Sequence, residues 1–186
     1  MTRPRLVIFD RDGTLIENVP YNADPRRVVC RPRALAGVEK LRSLGMRFAV
    51  ATNQSGVSRG LVSMESLELL NAEIDRLFGG LGTWWVCPHG PADNCRCRKP
   101  KPGMLYEAIS EAGVGRAEVV FVGDRLSDLE AAEAAGVRFV LVRSPSSEPA
   151  VLRRAPIRVE DLAGLAEQLE HELRSTDPQE GRVGSH

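Results

Sequence analysis

Four apolar residues, Leu6-Val7-Ile8-Phe9, run without a spacer into Asp10-Arg11-Asp12-Gly13-Thr14. The run is apolar throughout rather than alternating, so it reads as a strand buried on both faces, which needs a sheet covered by helices on either side. Such a strand, expected over residues 5–9 and ending in two carboxylates one residue apart, confines both acids to the carboxyl edge of the sheet. Carboxylates there are costly unless a cation or a reaction requires them. Gly13 lets the chain turn tightly, with backbone N–H groups free to face the acids. The chemistry this pattern supports is attack by one aspartate on phosphorus, with a divalent cation between the anions. The competing reading of the stretch alone is a charged turn or an Asx-turn.

The rest of the chain repeats the scheme. Further strands are expected at Arg47–Ala51, Thr83–Val86, Val119–Val122 and Phe139–Val142. Helices are expected at Ala34–Leu44, with Leu35, Val38, Leu41 and Leu44 inward, and from an N-cap at Ser63 to about Phe78. Others are expected at Pro102–Ala112, Leu126–Ala135 and Asp161–Leu173. This alternation predicts an α/β Rossmann-like three-layer sandwich around a central parallel sheet. Residues 1–174 form one domain in this reading, without room for a large cap domain, and 175–186 a disordered tail. In such sheets ligands sit at the carboxyl ends of the strands. Asp10, Thr52 and Asp124 all follow expected strands, which argues against the charged-turn reading of the first motif.

Lys plus Arg and Asp plus Glu both number 25, a formal net charge of zero that speaks against a general nucleic-acid binder. No apolar run is long enough to span a bilayer, and Met1–Arg5 leads into a strand rather than a signal segment. The expectation is a cytoplasmic, monomeric protein acting on a small phosphorylated molecule, with neither nucleic acid nor membrane as partner.

Asp10 reads as the nucleophile and Asp12 as the acid that protonates the departing alkoxide and later activates water. The Thr52 hydroxyl, with the N–H groups after it, can hold a phosphoryl oxygen. Asp124, in Gly123-Asp124-Arg125-Leu126-Ser127-Asp128, can ligate Mg²⁺ with Asp10 and the Asp12 carbonyl. Asp128 either braces that arrangement or caps the next helix. Arg98-Lys99-Pro100-Lys101-Pro102 offers the cation a transferring phosphoryl group needs. Lys99 is the choice, although composition alone does not exclude Lys101.

The order Asp-x-Asp, Thr, Lys, Gly-Asp resembles the haloacid-dehalogenase-superfamily phosphatases over about residues 5 to 143. The resemblance implies an aspartyl-phosphate mechanism and obligatory Mg²⁺, with the roles falling on Asp10, Asp12, Thr52, Lys99 and Asp124.

Cys87-Pro88-His89 and Cys95-Arg96-Cys97 bring three thiols and an imidazole into one short loop, a donor set suited to tetrahedral Zn²⁺. Four protein ligands leave no open position, so the ion would be structural, bracing the loop that carries Arg98 and Lys99. Cys30 reads as a small apolar residue.

Within the superfamily these motifs are similar to two phosphatase families, one for heptose 1,7-bisphosphates and one for histidinol phosphate. Ser55-Gly56-Val57-Ser58-Arg59-Gly60 and Val19-Pro20-Tyr21 resemble the heptose family; the compact Cys87–Cys97 loop resembles the other. The heptose resemblance is preferred because its matches lie in candidate substrate loops, and it implies that Asn18, Tyr21, Asn53, Gln54, Ser55, Arg98 and Arg125 contact substrate. Asn18 stands where an acid is expected and Arg125 where a lysine is. A reading of another class is a catalytically silent, zinc-stabilised binding module. The retained Asp10, Asp12, Lys99 and Asp124 speak against it.

Overall fold

The computed structural model describes residues 2–176. Six strands form one sheet, all pairs parallel: β1 (Leu6–Phe9), β2 (Arg47–Asn53), β3 (Thr83–Cys87), β4 (Val119–Gly123), β5 (Arg138–Val142) and β6 (Arg158–Val159). Their spatial order is β3-β2-β1-β4-β5-β6. The chain thus builds outward from β1 to one side, then returns to place β4 on the other. The crevice where the winding reverses lies between the carboxyl ends of β1 and β4. There the Asp10 N–H donates to the Val122 carbonyl at 2.8 Å, so Asp10 and Asp124 leave neighbouring strands side by side.

Side chains alternate across the sheet and feed two cores. Val7, Phe9, Val50, Val122 and Val142 face α1 (Ala34–Ser43), α2 (Met64–Leu77) and α6 (Leu162–Thr176). Leu6, Ile8, Ala51, Phe121 and Leu141 face α3 (Gly103–Ala112), α4 (Leu126–Ala135) and α5 (Pro149–Arg154). The three-layer sandwich expected from the sequence is the fold.

Details differ from the expectation. β2 extends two residues beyond Ala51, because Thr52 and Asn53 pair with Val86 and Cys87 of β3. Thr52 is therefore a strand residue rather than the first residue after it. In α1 the inward stripe is Ala34, Gly37, Val38 and Leu41, while Leu35 lies 44% exposed. Gly37 explains the rotation: a Cβ there would lie 2.3 Å from the Leu162 backbone carbon, so α6 docks onto the glycine. Cys30 is half-buried against the first core. α6 runs past Leu173 to Thr176, and 177–186 of the expected tail lie outside the described residues.

Candidate active site

β1 delivers Asp10 to the crevice and β4 delivers Asp124, with Asp128 one turn into α4. One oxygen from each of these carboxylates lies within 4.8 Å of the others. All three are buried, Asp124 completely. Lys99 reaches them from the β3–α3 loop, its Nζ 2.6 Å from Asp10 Oδ1 and 2.7 Å from Asp128 Oδ1, and it donates to the Ala51 carbonyl at 2.8 Å. Lys101 instead donates to Asn94 Oδ1 and the Cys95 carbonyl, away from the acids. The geometry thus separates the two lysines that composition left open.

Electrostatics follow from this crowding. Burial pushes the Asp10 carboxyl up to about 7, against the pull of Lys99 and with repulsion from Asp128 and Asp12. Burial, then repulsion from Asp10 and Asp128, pushes Asp124 up to about 8. For Lys99, burial alone would lower the affinity for its proton, but Asp10 and Asp128 outweigh it and hold the ammonium above its ordinary range. Three acids face one lysine in a buried pocket, so Lys99 alone cannot balance all three as carboxylates.

That imbalance suits a divalent cation, and two observations show that the residues fit one. Asp124 Oδ1 is buried and without a hydrogen-bond partner, while Oδ2 accepts from the Ser144 hydroxyl. Gly13, at φ +85°, leaves space beside it: a Cβ would fall 2.2 Å from Asp124 Oδ2. Hard carboxylate oxygens at such a spacing match Mg²⁺.

Asp128 performs both tasks the sequence left open. Its Oδ2 accepts from the Arg125 N–H and caps α4, while Oδ1 faces Lys99. Asp12 is gripped by Arg11, whose Nε and Nη2 donate at 3.0 and 3.2 Å, and by Gln54 Nε2 at 2.8 Å. Gln54 Nε2 also donates to Thr52 Oγ1.

A polar cleft of about 350 Å³ opens above this cluster. All seven residues expected at the substrate line it: Asn18, Tyr21, Asn53, Gln54, Ser55, Arg98 and Arg125. Several are already engaged. Both amide atoms of Asn53 bond the Lys99 backbone, Nδ2 to its carbonyl at 3.0 Å and Oδ1 from its N–H at 3.1 Å. Asn18 donates to Ser146 Oγ, and Arg125 pairs with Glu148 at 2.9 Å. Arg98 donates to the His89 carbonyl, a neutral partner that leaves its charge available to an anion. A roomier cavity, about 730 Å³, sits beside the start of β5 and holds none of the acid cluster.

Cys87, His89, Cys95 and Cys97 also converge, their donor atoms all within 4.8 Å of one another. Cys97 Sγ lies 3.2 Å from Cys87 Sγ and 3.3 Å from His89 Nδ1. The Arg98 N–H donates to Cys95 Sγ at 3.4 Å, tying the cluster to the next residue of the chain.

Sequence reading did not single out Ser144, Arg11 or Asn71. Ser144 lies just beyond β5, a strand end like those that flagged Asp10 and Asp124. Asn71 lies in the buried stripe of α2 with Leu67, Leu70 and Ile74, and a polar residue in an apolar stripe was its signal.

Comparison with known proteins decides the family. Residues 96–167 match the HAD-hydrolase-like family model. The D-glycero-β-D-manno-heptose-1,7-bisphosphate 7-phosphatase of Pseudomonas putida is 38% identical over 173 residues, covering 89% of this chain and 99% of the relative. The chain belongs to the heptose-1,7-bisphosphate 7-phosphatase family of haloacid-dehalogenase-like hydrolases. The Pseudomonas aeruginosa relative of the same name is 37% identical over 88% of this chain and 97% of its own length. The D,D-heptose 1,7-bisphosphate phosphatase of Bordetella bronchiseptica, solved with magnesium and phosphate, superposes with a TM-score of 0.82. It is 34% identical, over 90% of this chain and 99% of that one. Members of this family are phosphoric monoester hydrolases, and the superfamily resemblance drawn from the motifs holds.

Proposed function

We propose that this enzyme removes the 7-phosphate of D-glycero-β-D-manno-heptose 1,7-bisphosphate through an aspartyl-phosphate on Asp10. The observation that carries the chemistry is the buried cluster of Asp10, Lys99, Asp128 and Asp124 at the floor of the cleft. An Asp10 oxygen attacks phosphorus in line, and the bond to the sugar oxygen breaks as Asp12 gives that oxygen its proton. Asp12, now a carboxylate, takes a proton from water, which attacks the acyl phosphate and releases inorganic phosphate and free Asp10. Lys99 and Thr52 compensate charge on the phosphoryl oxygens. Mg²⁺, held by Asp10, Asp124 and the Asp12 carbonyl, would supply the further positive charge the transferring group requires. Asn53 acts here by fixing the Lys99 backbone, a change from the direct substrate contact expected of it.

Zn²⁺ on Cys87, His89, Cys95 and Cys97 would stiffen the loop that carries Arg98 and Lys99. We take the enzyme to work as a monomer in the cytoplasm; one chain's residues suffice to line the cleft.

Charge on the cleft supports a bisphosphate. Arg98, whose partner is the neutral His89 carbonyl, lines it in addition to Lys99 and offers a cation to a second anionic group, as Arg125 would on leaving Glu148. Histidinol phosphate carries no second phosphate but an ammonium beside its phosphorylated carbon, and a positively charged cleft wall would repel that group. Rates of phosphate release from the β-heptose bisphosphate and from histidinol phosphate, measured side by side, test this. A strong preference for histidinol phosphate defeats the sugar assignment, and no turnover of any ester in Mg²⁺ leaves the silent-module reading.

A further inference from the structure

Asn71, in the middle of α2, reaches the Asp10–Thr14 turn through a buried arginine. Arg11 and Asn71 are 2% and 8% exposed. Arg11 Nη1 donates to Asn71 Oδ1 at 2.8 Å, while its Nε and Nη2 hold the Asp12 carboxylate. A guanidinium is planar, with donors in fixed directions, so anchoring one edge sets the plane in which the other edge meets its carboxylate. Gln54 grips Asp12 as well and ties it to Thr52, so the carboxylate is oriented from two directions. Asn71 occupies a stripe position between Leu70 and Ile74 where an apolar side chain would pack, and it spends its oxygen on Arg11.

We propose that Asn71 is a positioning residue for phosphoryl transfer: acting through Arg11, it aims the Asp12 carboxylate at the leaving oxygen. The inference rests on the reading of Asp12 as the acid. Its consequence is selective. An alkyl ester such as the sugar phosphate needs a proton on its leaving oxygen, whereas p-nitrophenyl phosphate expels a stable phenolate that does not.

The test is kcat/KM on both esters, since this quantity reports transfer to Asp10 and not the later hydrolysis. Asn71→Ala should lower it about tenfold or more on the alkyl ester and leave the aryl ester within about twofold, the pattern of impaired acid catalysis. Asn71→Asp keeps an oxygen acceptor for the guanidinium and should restore the alkyl rate. In an Asp12→Asn background, adding Asn71→Ala should cost nothing more on either ester. If Asn71→Ala does not fold, Asn71→Gln, with its amide displaced by one methylene, replaces it in each comparison. Equal losses on both esters, a further loss in the Asp12→Asn background, or a faster alkyl reaction would overturn the proposal. Asp12→Asn alone separates the two layers of the argument. If it fails to favour the aryl ester, the acid role of Asp12 falls and the proposal with it. If it does favour the aryl ester and Asn71→Ala does not, only the role of Asn71 falls.

Discussion

Gly13 shows how much the site depends on single atoms. At φ +85° its backbone is in a region where a side chain costs about 1–2 kcal/mol, and a Cβ would collide with the Asp124 carboxylate, 2.2 Å from Oδ2. The neighbour that would have to give way is fully buried and held by Ser144. Gly13→Ala should therefore displace Asp124 and lower kcat/KM by about 100-fold, the scale of loss that a 1 Å misplacement brings. The Mg²⁺ concentration for half-maximal rate should rise with it, and a magnesium titration of the variant reads both. Unchanged magnesium dependence would mean that the collision is relieved elsewhere. Asp10→Asn addresses the chemistry itself: it removes the attacking oxygen's charge but leaves Asp128 to pair with Lys99. Phosphate release should fall to background while the melting temperature stays near that of the parent, and undiminished release would end the nucleophile assignment. At this scale the sequence was readable where a polar residue follows an apolar run, as at Asp10 and Asp124. It was silent on Arg11, because nothing local says that the residue between two acids turns inward to Asn71, 60 positions later.

The β3–α3 loop joins two supports of different origin. Arg98 is tied to the thiol cluster by its N–H bond to Cys95 Sγ, whereas the backbone of Lys99 is clamped to β2 by Asn53. Loss of the thiol–imidazole cluster should release the first more than the second. Cys97→Ser is expected to lower bound zinc and raise KM for the bisphosphate about tenfold, roughly the worth of one charge-assisted contact, with kcat falling less. Asn53→Ala should show the reverse balance. Metal content and steady-state kinetics on the two variants check the contrast, and a matched loss of kcat in both would show that the loop moves as one body. Elements of this length were legible where burial imposes a period. Five strands and the principal helices stand close to their expected bounds because each carries a continuous apolar run or a helical stripe. β6 has two residues and α5 begins inside a Ser/Pro-rich stretch, so neither has enough residues to display a period. The inward face of α1 was misjudged because Gly37, which contributes no hydrophobicity, marks the closest approach to α6.

Across the whole molecule, the winding of the sheet forces a conflict between stability and function. Reversal between β1 and β4 brings Asp10 and Asp124 together away from water, and without a cation both prefer their protons. Their folded-state values of about 7 and about 8 lie above the ordinary 3.8. Between those limits the folded protein binds more protons than the unfolded chain, so raising the pH favours unfolding. The contribution is complete below the ordinary carboxylate value and is lost as pH rises through about 7 and about 8. Surface acids held low by arginine or lysine partners, such as Glu73 and Glu172, act only at more acidic pH, and Lys99, held above 10.5, only at more alkaline pH. In the neutral window Cys95, which burial would raise but the Arg98 N–H and neighbouring thiols hold below the ordinary thiol value, pulls the other way, as does zinc on thiolates, so the buried pair is read as a difference from a variant that lacks part of it. Mg²⁺ requires the ionised carboxylates, so its binding releases protons and tightens as pH rises. Measured relative to Asp124→Asn at equal zinc loading, enzyme without Mg²⁺ should lose melting temperature from about pH 6 to about pH 9, while saturating Mg²⁺ flattens that relative loss and its stabilising effect grows with pH. Asp124→Asn, which cannot ionise, should shrink both the slope and the magnesium effect. A magnesium-free melting temperature that does not fall relative to Asp124→Asn over this range would mean that the acids keep their charges without a cation, and that Lys99 alone suffices to hold them there.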